Sequence, residues 1–178
     1  KKEYGNILQK MTGFNGEKEV ESSLETIFHY AAWADKFEGT IHDVPIRGVS
    51  LAMHEPVGVI GIVCPDDNPL LSFVHLVFSA LCTGNTVIAI PSEKHPLSAL
   101  DMYQVFESSD MPAGAINIVT GDQEALTQTL AIHMGVDGLW YFGSKEGSRT
   151  VEALSTSNLK QTWVNYGAQY SWMALSKE

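Results

Sequence analysis

Five short apolar runs, separated by four helix-like stretches, constrain this chain more than any other feature. Val57–Val63 is near-continuously apolar with two glycines, as in a strand buried on both faces. Leu70–Leu81 follows and is too apolar for an exposed helix. Thr86–Ile90, Ala115–Val119, Gly138–Phe142 and Leu159–Val164 read as further strands, and Leu97–Glu107, Gln123–His133 and Lys145–Leu154 as the helices between them. Strands that alternate with helices pair in parallel through right-handed crossovers, so the pattern predicts an open, doubly wound, mostly parallel α/β sheet. The loops at the strand ends, PDDNP, PSEKHP, TGDQ and FGSKEG, then lie where such sheets hold ligands.

Upstream, Leu24, Ile27, Phe28, Ala31, Ala32 and Phe37 fit one amphipathic helix over 20–37, with Gly39 as its stop, and VSLAMHE (49–55) alternates as a lone short strand. The expected organisation is an N-terminal helical segment over 1–48 and a dinucleotide-type domain over 49–178. A first residue other than Met predicts a piece of a longer protein. No apolar run reaches the roughly 18 residues of a membrane span. A net charge of -10 argues against a nucleic-acid surface, which needs clustered Lys and Arg. Cys64 and Cys82 read as small buried hydrophobes, and nothing favours an oxidising compartment, so a cytoplasmic setting is expected. The six histidines are scattered without metal spacing. His75, inside the apolar helix, reads as a satisfied core residue, while His54 and His133 carry no chemistry of their own. Asp66 and Asp67 are adjacent carboxylates that point apart and lack a third ligand, so no metal is expected.

The segments YAAWADKFEG, HEPVGVIGIVCP, ALCTGNTV (Ala80–Val87), PSE, NIVTG and YFGSKEG follow one another in order over about residues 20–165. Their order and spacing resemble the aldehyde dehydrogenase superfamily, and most closely the degenerate second dehydrogenase-like domain of the animal family-16 enzymes. The resemblance implies a Rossmann-like cofactor domain, with a catalytic domain further along the chain and a β-rich oligomerisation element to which VSLAMHE is similar. It carries cofactor contacts onto Val63, Pro65, Asp66, Ser92, Glu93, Gly121, Gly143 and Ser144.

Departures from the family pattern fall on the chemistry. Active relatives read PWNFP after the first strand, and the Asn donates a hydrogen bond to the oxyanion. Here Pro65-Asp66-Asp67-Asn68-Pro69 puts Asp67 at that position, and Asn68 is out of place by one residue. An ionised carboxylate only accepts hydrogen bonds. Losing one oxyanion donor costs about 10²- to 10³-fold in rate. The family's KPSE loop grips the adenosine ribose. Here Ile90 replaces the Lys and Glu93 remains, either as a ribose contact that disfavours NADP or as an ordinary solvated loop residue. The family's GSTEVG opens a helix onto the pyrophosphate. Gly143 and Ser144 keep that opening with Lys145 beside it, which fits an anion site or simply a capped helix. Phe142 replaces a family Thr and would block the nicotinamide side. In the family's LELGG segment the Glu is the general base, but here the residue is Val164. The nucleophilic Cys would lie downstream, beyond Glu178.

The expectation is therefore a non-catalytic aldehyde-dehydrogenase-like domain with a structural or assembly role. Its partners would be the remaining domains of the parent protein and further copies of itself, with no nucleic acid and no membrane. The alternative is an NAD-binding module of an oxidoreductase whose catalytic residues lie in another domain. NAD binding is expected to be weak or absent.

Overall fold

The computed structural model describes residues 1–175. Five parallel strands form the sheet: β3 (Val59–Val63), β4 (Thr86–Ile90), β5 (Ile116–Ile118), β6 (Gly138–Tyr141) and β7 (Gln161–Val164). Their spatial order is β5-β4-β3-β6-β7, the doubly wound arrangement expected. β3 lies at the centre, with Ile60 opposite both Val87 of β4 and Gly138 of β6. Its start is held by two side chains, since Asn85 Oδ1 accepts from Gly58 N at 3.0 Å and Asp137 Oδ2 from Val59 N at 2.8 Å. Gly58 has φ 128°, and a Cβ there would collide with the Asp137 carboxylate, so only glycine fits this entry.

Helices cover both faces of the sheet. On one, α3 (Pro69–Leu81) buries Phe73, Val74 and Val77 against Ile60, Ile62, Val87 and Ala89. On the other, α6 (Gln123–Ile132) and α7 (Lys145–Ser155) pack Leu130 and Val151 with Val63, Ile90 and Leu139. Residues 97–107, expected as one helix, are two short ones, α4 (Leu97–Leu100) and α5 (Met102–Glu107), broken at Asp101.

Two further helices precede the sheet. α1 (Lys2–Thr12), not among the expected helices, buries Gly5 and Leu8, with Tyr4 and Met11 partly buried. α2 (Gly16–Trp33) starts earlier and stops sooner than 20–37. Asn15 caps its start by accepting from Lys18 N, and Ala34, not Gly39, ends it. VSLAMHE is not a lone strand: β2 (Ser50–Ala52) pairs antiparallel with β1 (Thr40–His42), so the division drawn at residue 49 falls inside a hairpin. Ile41, Leu51 and Met53 of this hairpin region are exposed. Among the described residues no helix is long and apolar enough to cross a membrane.

Glu19 joins the N-terminal helices to the domain. Asn68 precedes α3 in the left-handed region (φ 46°, ψ 64°) and gives the helix no side-chain cap. Instead the fully buried Glu19 of α2 accepts from Leu70 N (2.9 Å) and Leu71 N (3.2 Å) through Oε1. Its Oε2 has no hydrogen-bond partner among the described residues. Burial outweighs those two amides and holds the carboxyl above its ordinary 4.5. A carboxyl raised in the folded state favours folding below its unfolded value, and that contribution is lost as pH rises through the folded value. Glu19→Gln keeps an acceptor but cannot ionise, so its melting temperature should gain on the wild type between pH 4.5 and neutrality. A constant or shrinking difference would contradict this. Glu19→Ala leaves two amides unpaired and should cost about 1–3 kcal/mol by chemical denaturation.

Candidate functional site

β3 pairs with β4 on one side and β6 on the other, and the chain leaves in opposite directions on the two sides. In doubly wound sheets ligands bind in the crevice at such a switch point, beyond the carboxyl ends of the strands. Here the crevice holds two adjoining cavities. The smaller, about 240 Å³, lies between α6 and α7 and is lined by Glu93, Gln123, Glu124, Tyr141, Ser144, Glu146 and Gly147, among others. The larger, about 380 Å³, is lined by Pro65, Asp66, Asp67, Phe142, Gly143, Ser144 and the segment after β7, including Asn165, Tyr170 and Trp172.

The resemblance named eight cofactor contacts, and the structure brings five of them to these cavities. Glu93 lines the smaller, Pro65, Asp66 and Gly143 the larger, and Ser144 both. Val63, Ser92 and Gly121 line neither. Val63 is core, buried against the α6–α7 side. Ser92 is 1% exposed and works as a tie: its hydroxyl donates to Asp66 Oδ1 at 2.6 Å and accepts from His95 N at 3.1 Å. Gly121 sits in the β5–α6 turn, against Leu126.

Asp66 is held by more than Ser92. The Lys94 ammonium stands 2.9 Å from Oδ2, and Lys94 N donates to Oδ1 at 3.4 Å. Partial burial works against the charge of Asp66, but the Ser92 hydroxyl and Lys94 outweigh it and hold the carboxyl below the usual range. The PSE loop thus has a cation after all, four residues beyond Ile90, yet it is spent on Asp66 rather than turned to the smaller cavity. Gln123, which sequence reasoning missed, ties three elements: its side-chain amide donates to Cys64 O (3.0 Å) and Pro91 O (3.4 Å) at the first turn of α6. Its only sequence signal is a polar residue following the Asp122 cap.

Asp67 and Val164, onto which the resemblance carries the family's Asn and Glu, lie at the ends of β3 and β7, and of the two only Asp67 lines a cavity. Asp67 is exposed on the β3–α3 loop. Val164 ends β7, half-buried and packed against the apolar cluster under α7. Phe142 is 2% exposed. Its ring meets Trp163 (4.9 Å between centroids), Tyr170 (5.6 Å) and Trp172 (5.6 Å), so aromatic side chains fill the far wall of the larger cavity.

The thiol nearest the crevice, Cys64, is fully buried, and burial pushes it well above its ordinary value. Cys82 is half-buried at the end of α3, not core as expected, and its Sγ donates to Ser79 O. Both cysteines are free. His75 is buried, with Nε2 3.4 Å from the Thr26 hydroxyl. His54 and His133 lie away from both cavities.

Ser144 caps α7: its Oγ accepts from Gly147 N at 2.9 Å, in extended backbone geometry. That capping satisfies one of the amides that open the helix.

The sequence model described as "Aldehyde dehydrogenase family" matches residues 5–177. An aldehyde dehydrogenase of Agaricus bisporus is 36% identical over 152 residues, covering 85% of this chain and 30% of that protein. Human retinal dehydrogenase 2 is 35% identical over 174 residues, covering 92% and 33%. Among solved structures, PnpE in complex with nicotinamide adenine dinucleotide superposes with a TM-score of 0.86 at 28% identity, covering 91% of this chain and 34% of that one. The chain spans about a third of the length of the curated relatives it matches.

Proposed function

The chain belongs to the aldehyde dehydrogenase family, and we propose that within it the chain serves as a non-catalytic, cofactor-domain-like module, of the kind seen in the degenerate second domain of the family-16 enzymes. The observation that carries this reading is the pair Asp67 and Val164. One puts an acceptor-only carboxylate where an oxyanion needs a donor, and the other puts an alkyl group where a water needs a base. Neither neighbouring thiol offers a substitute, since Cys64 is buried and held protonated and Cys82 lies at the far end of α3. Thioester formation needs an exposed thiolate. The purified chain should therefore produce no NADH above the blank from NAD and a panel of aliphatic and aromatic aldehydes. Turnover by material free of contaminating enzyme would overturn the proposal.

A second reading, an NAD-binding module of a dehydrogenase whose catalytic residues lie in another domain, draws support from Glu93 and Ser144 on the smaller cavity. It predicts thermal stabilisation by NAD, about 2.7 kcal/mol once NAD exceeds its dissociation constant a hundredfold. No shift at millimolar NAD would end it.

A role in assembly draws support from the exposed Ile41, Leu51 and Met53 of the β1–β2 region, an apolar surface suited to another domain of the parent or to a second copy. Light scattering should find the isolated chain larger than a monomer, and a clean monomer across the accessible concentrations would count against self-association. Within this reading the module is cytoplasmic, with two unpaired cysteines in keeping with a reducing compartment.

A further inference from the structure

α7 begins at the carboxyl end of β6, beside the switch point, where the N-terminus of a helix ordinarily offers its amides to a phosphate. In this chain two of the amides at this end are already engaged: Ser144 N donates to the Tyr141 hydroxyl at 3.1 Å, and Gly147 N is taken by the Ser144 side chain.

Tyr141 is seated there by the residues around it. Its ring is 8% exposed, and its hydroxyl lies between two glycines. A Cβ on Gly143 would come 2.5 Å from that oxygen, and one on Gly147 would collide with it. The side chain fits this place only because neither neighbour carries a side chain of its own.

The charge of the cavity points the same way. Glu93, Glu124 and Glu146 line it, and none of its lining residues is a cation. The nearest ammonium on the PSE loop, that of Lys94, is paired with Asp66. A diphosphate entering here would meet carboxylates at close range with a hydroxyl oxygen already on the Ser144 amide. A neutral nucleoside would meet neither obstacle.

The geometry points to Tyr141 as a specificity-determining residue: its hydroxyl occupies the phosphate position, leaving the α6–α7 cavity open to a neutral nucleoside and closed to a nucleoside diphosphate. This rests on the reading of the crevice as a cofactor-type cleft, and is independent of whether the chain is catalytic.

The test is calorimetric titration of the full chain with adenosine and with ADP, in the wild type and in Tyr141→Phe, whose melting temperature is checked first. ADP lacks nicotinamide, so the aromatic wall around Phe142 does not enter the comparison. Wild type should bind ADP no more tightly than adenosine. Tyr141→Phe frees the Ser144 amide and should gain about tenfold for ADP, the order of one hydrogen bond to a charged group, with adenosine unchanged.

Wild-type affinity for ADP tenfold above that for adenosine would overturn the inference. So would a folded Tyr141→Phe with no gain, or one that binds neither ligand. Should the variant fail to fold, the Ser144 amide resonance of the wild type decides: it should stay in place as ADP is added, and its movement would refute occupancy by Tyr141. Failure of any arm leaves the Asp67 and Val164 argument standing, since no arm measures aldehyde oxidation.

Discussion

The double pairing of β3 is the constraint on which the rest of the molecule depends. With β4 on one edge and β6 on the other, the backbone of Val59–Val63 is paired on both sides apart from the Val59 amide, which the Asp137 carboxylate takes, and both faces must be covered by helices. That demand makes the strand almost wholly apolar. It also sends the chain to opposite sides at its carboxyl end, bringing the Cys64–Asn68 loop beside the opening of α7. The entry through Gly58, Asn85 and Asp137 and the exit through Gln123 hold this strand at both ends with side-chain hydrogen bonds. Shifting β3 by one residue would turn Ile60 and Ile62 from the α3 side to the α6 side, so its register is specified by packing as well as by pairing.

The N-terminal helices belong to the same construction. α3 must start at the switch-point loop, yet Asn68 adopts a left-handed conformation and offers no cap. Glu19 supplies the missing acceptor from α2, and one carboxylate thereby couples the docking of the N-terminal helices to the shape of the loop that carries Asp66 and Asp67. A negative group at a helix N-terminus is favourable in itself. Here it is also desolvated, so the contact contributes specificity at an electrostatic cost.

The sheet was legible in the sequence because its signal is strong and local. Thr86–Ile90 is β-branched at four of five positions, and the strand has the same bounds as the run. Weaker signals failed for physical reasons. α1 has only a short stripe, Tyr4, Ile7, Leu8 and Met11, of which Leu8 alone is fully buried, so its signal is brief rather than absent. β1 is three exposed residues paired with β2, too short to carry an alternating signal. In the site, the positions of Asp67, Glu93, Ser144 and Val164 followed from motif spacing. The Lys94–Asp66 pair, 28 residues apart, and the reach of Tyr141 onto Ser144 did not, because both depend on how loops from different strands fold together. Tyr141 in particular reads as an interior strand residue and is one. Its polar end becomes visible only once Gly143 and Gly147 are seen to make room for it.

A fold can outlive its chemistry when the two rest on different residues. The buried runs of β3, β4 and β6 and the apolar faces of α3, α6 and α7 carry the stability. The two positions on which the proposed non-catalytic reading rests sit at strand ends: Asp67 is exposed, and Val164 is half-buried against apolar neighbours. A carboxylate in water at the first is inexpensive, and a Val packed on Leu and Val at the second is favourable where a buried carboxylate is not. The rings of Phe142, Trp163, Tyr170 and Trp172 add apolar contact in the same region, where an open pocket would bury nothing. The aromatic cluster packs one wall of the larger cavity without filling the cavity itself. Stability and catalysis pull in opposite directions at such a site, and the proposed reading places Val164 and Phe142 on the side of stability.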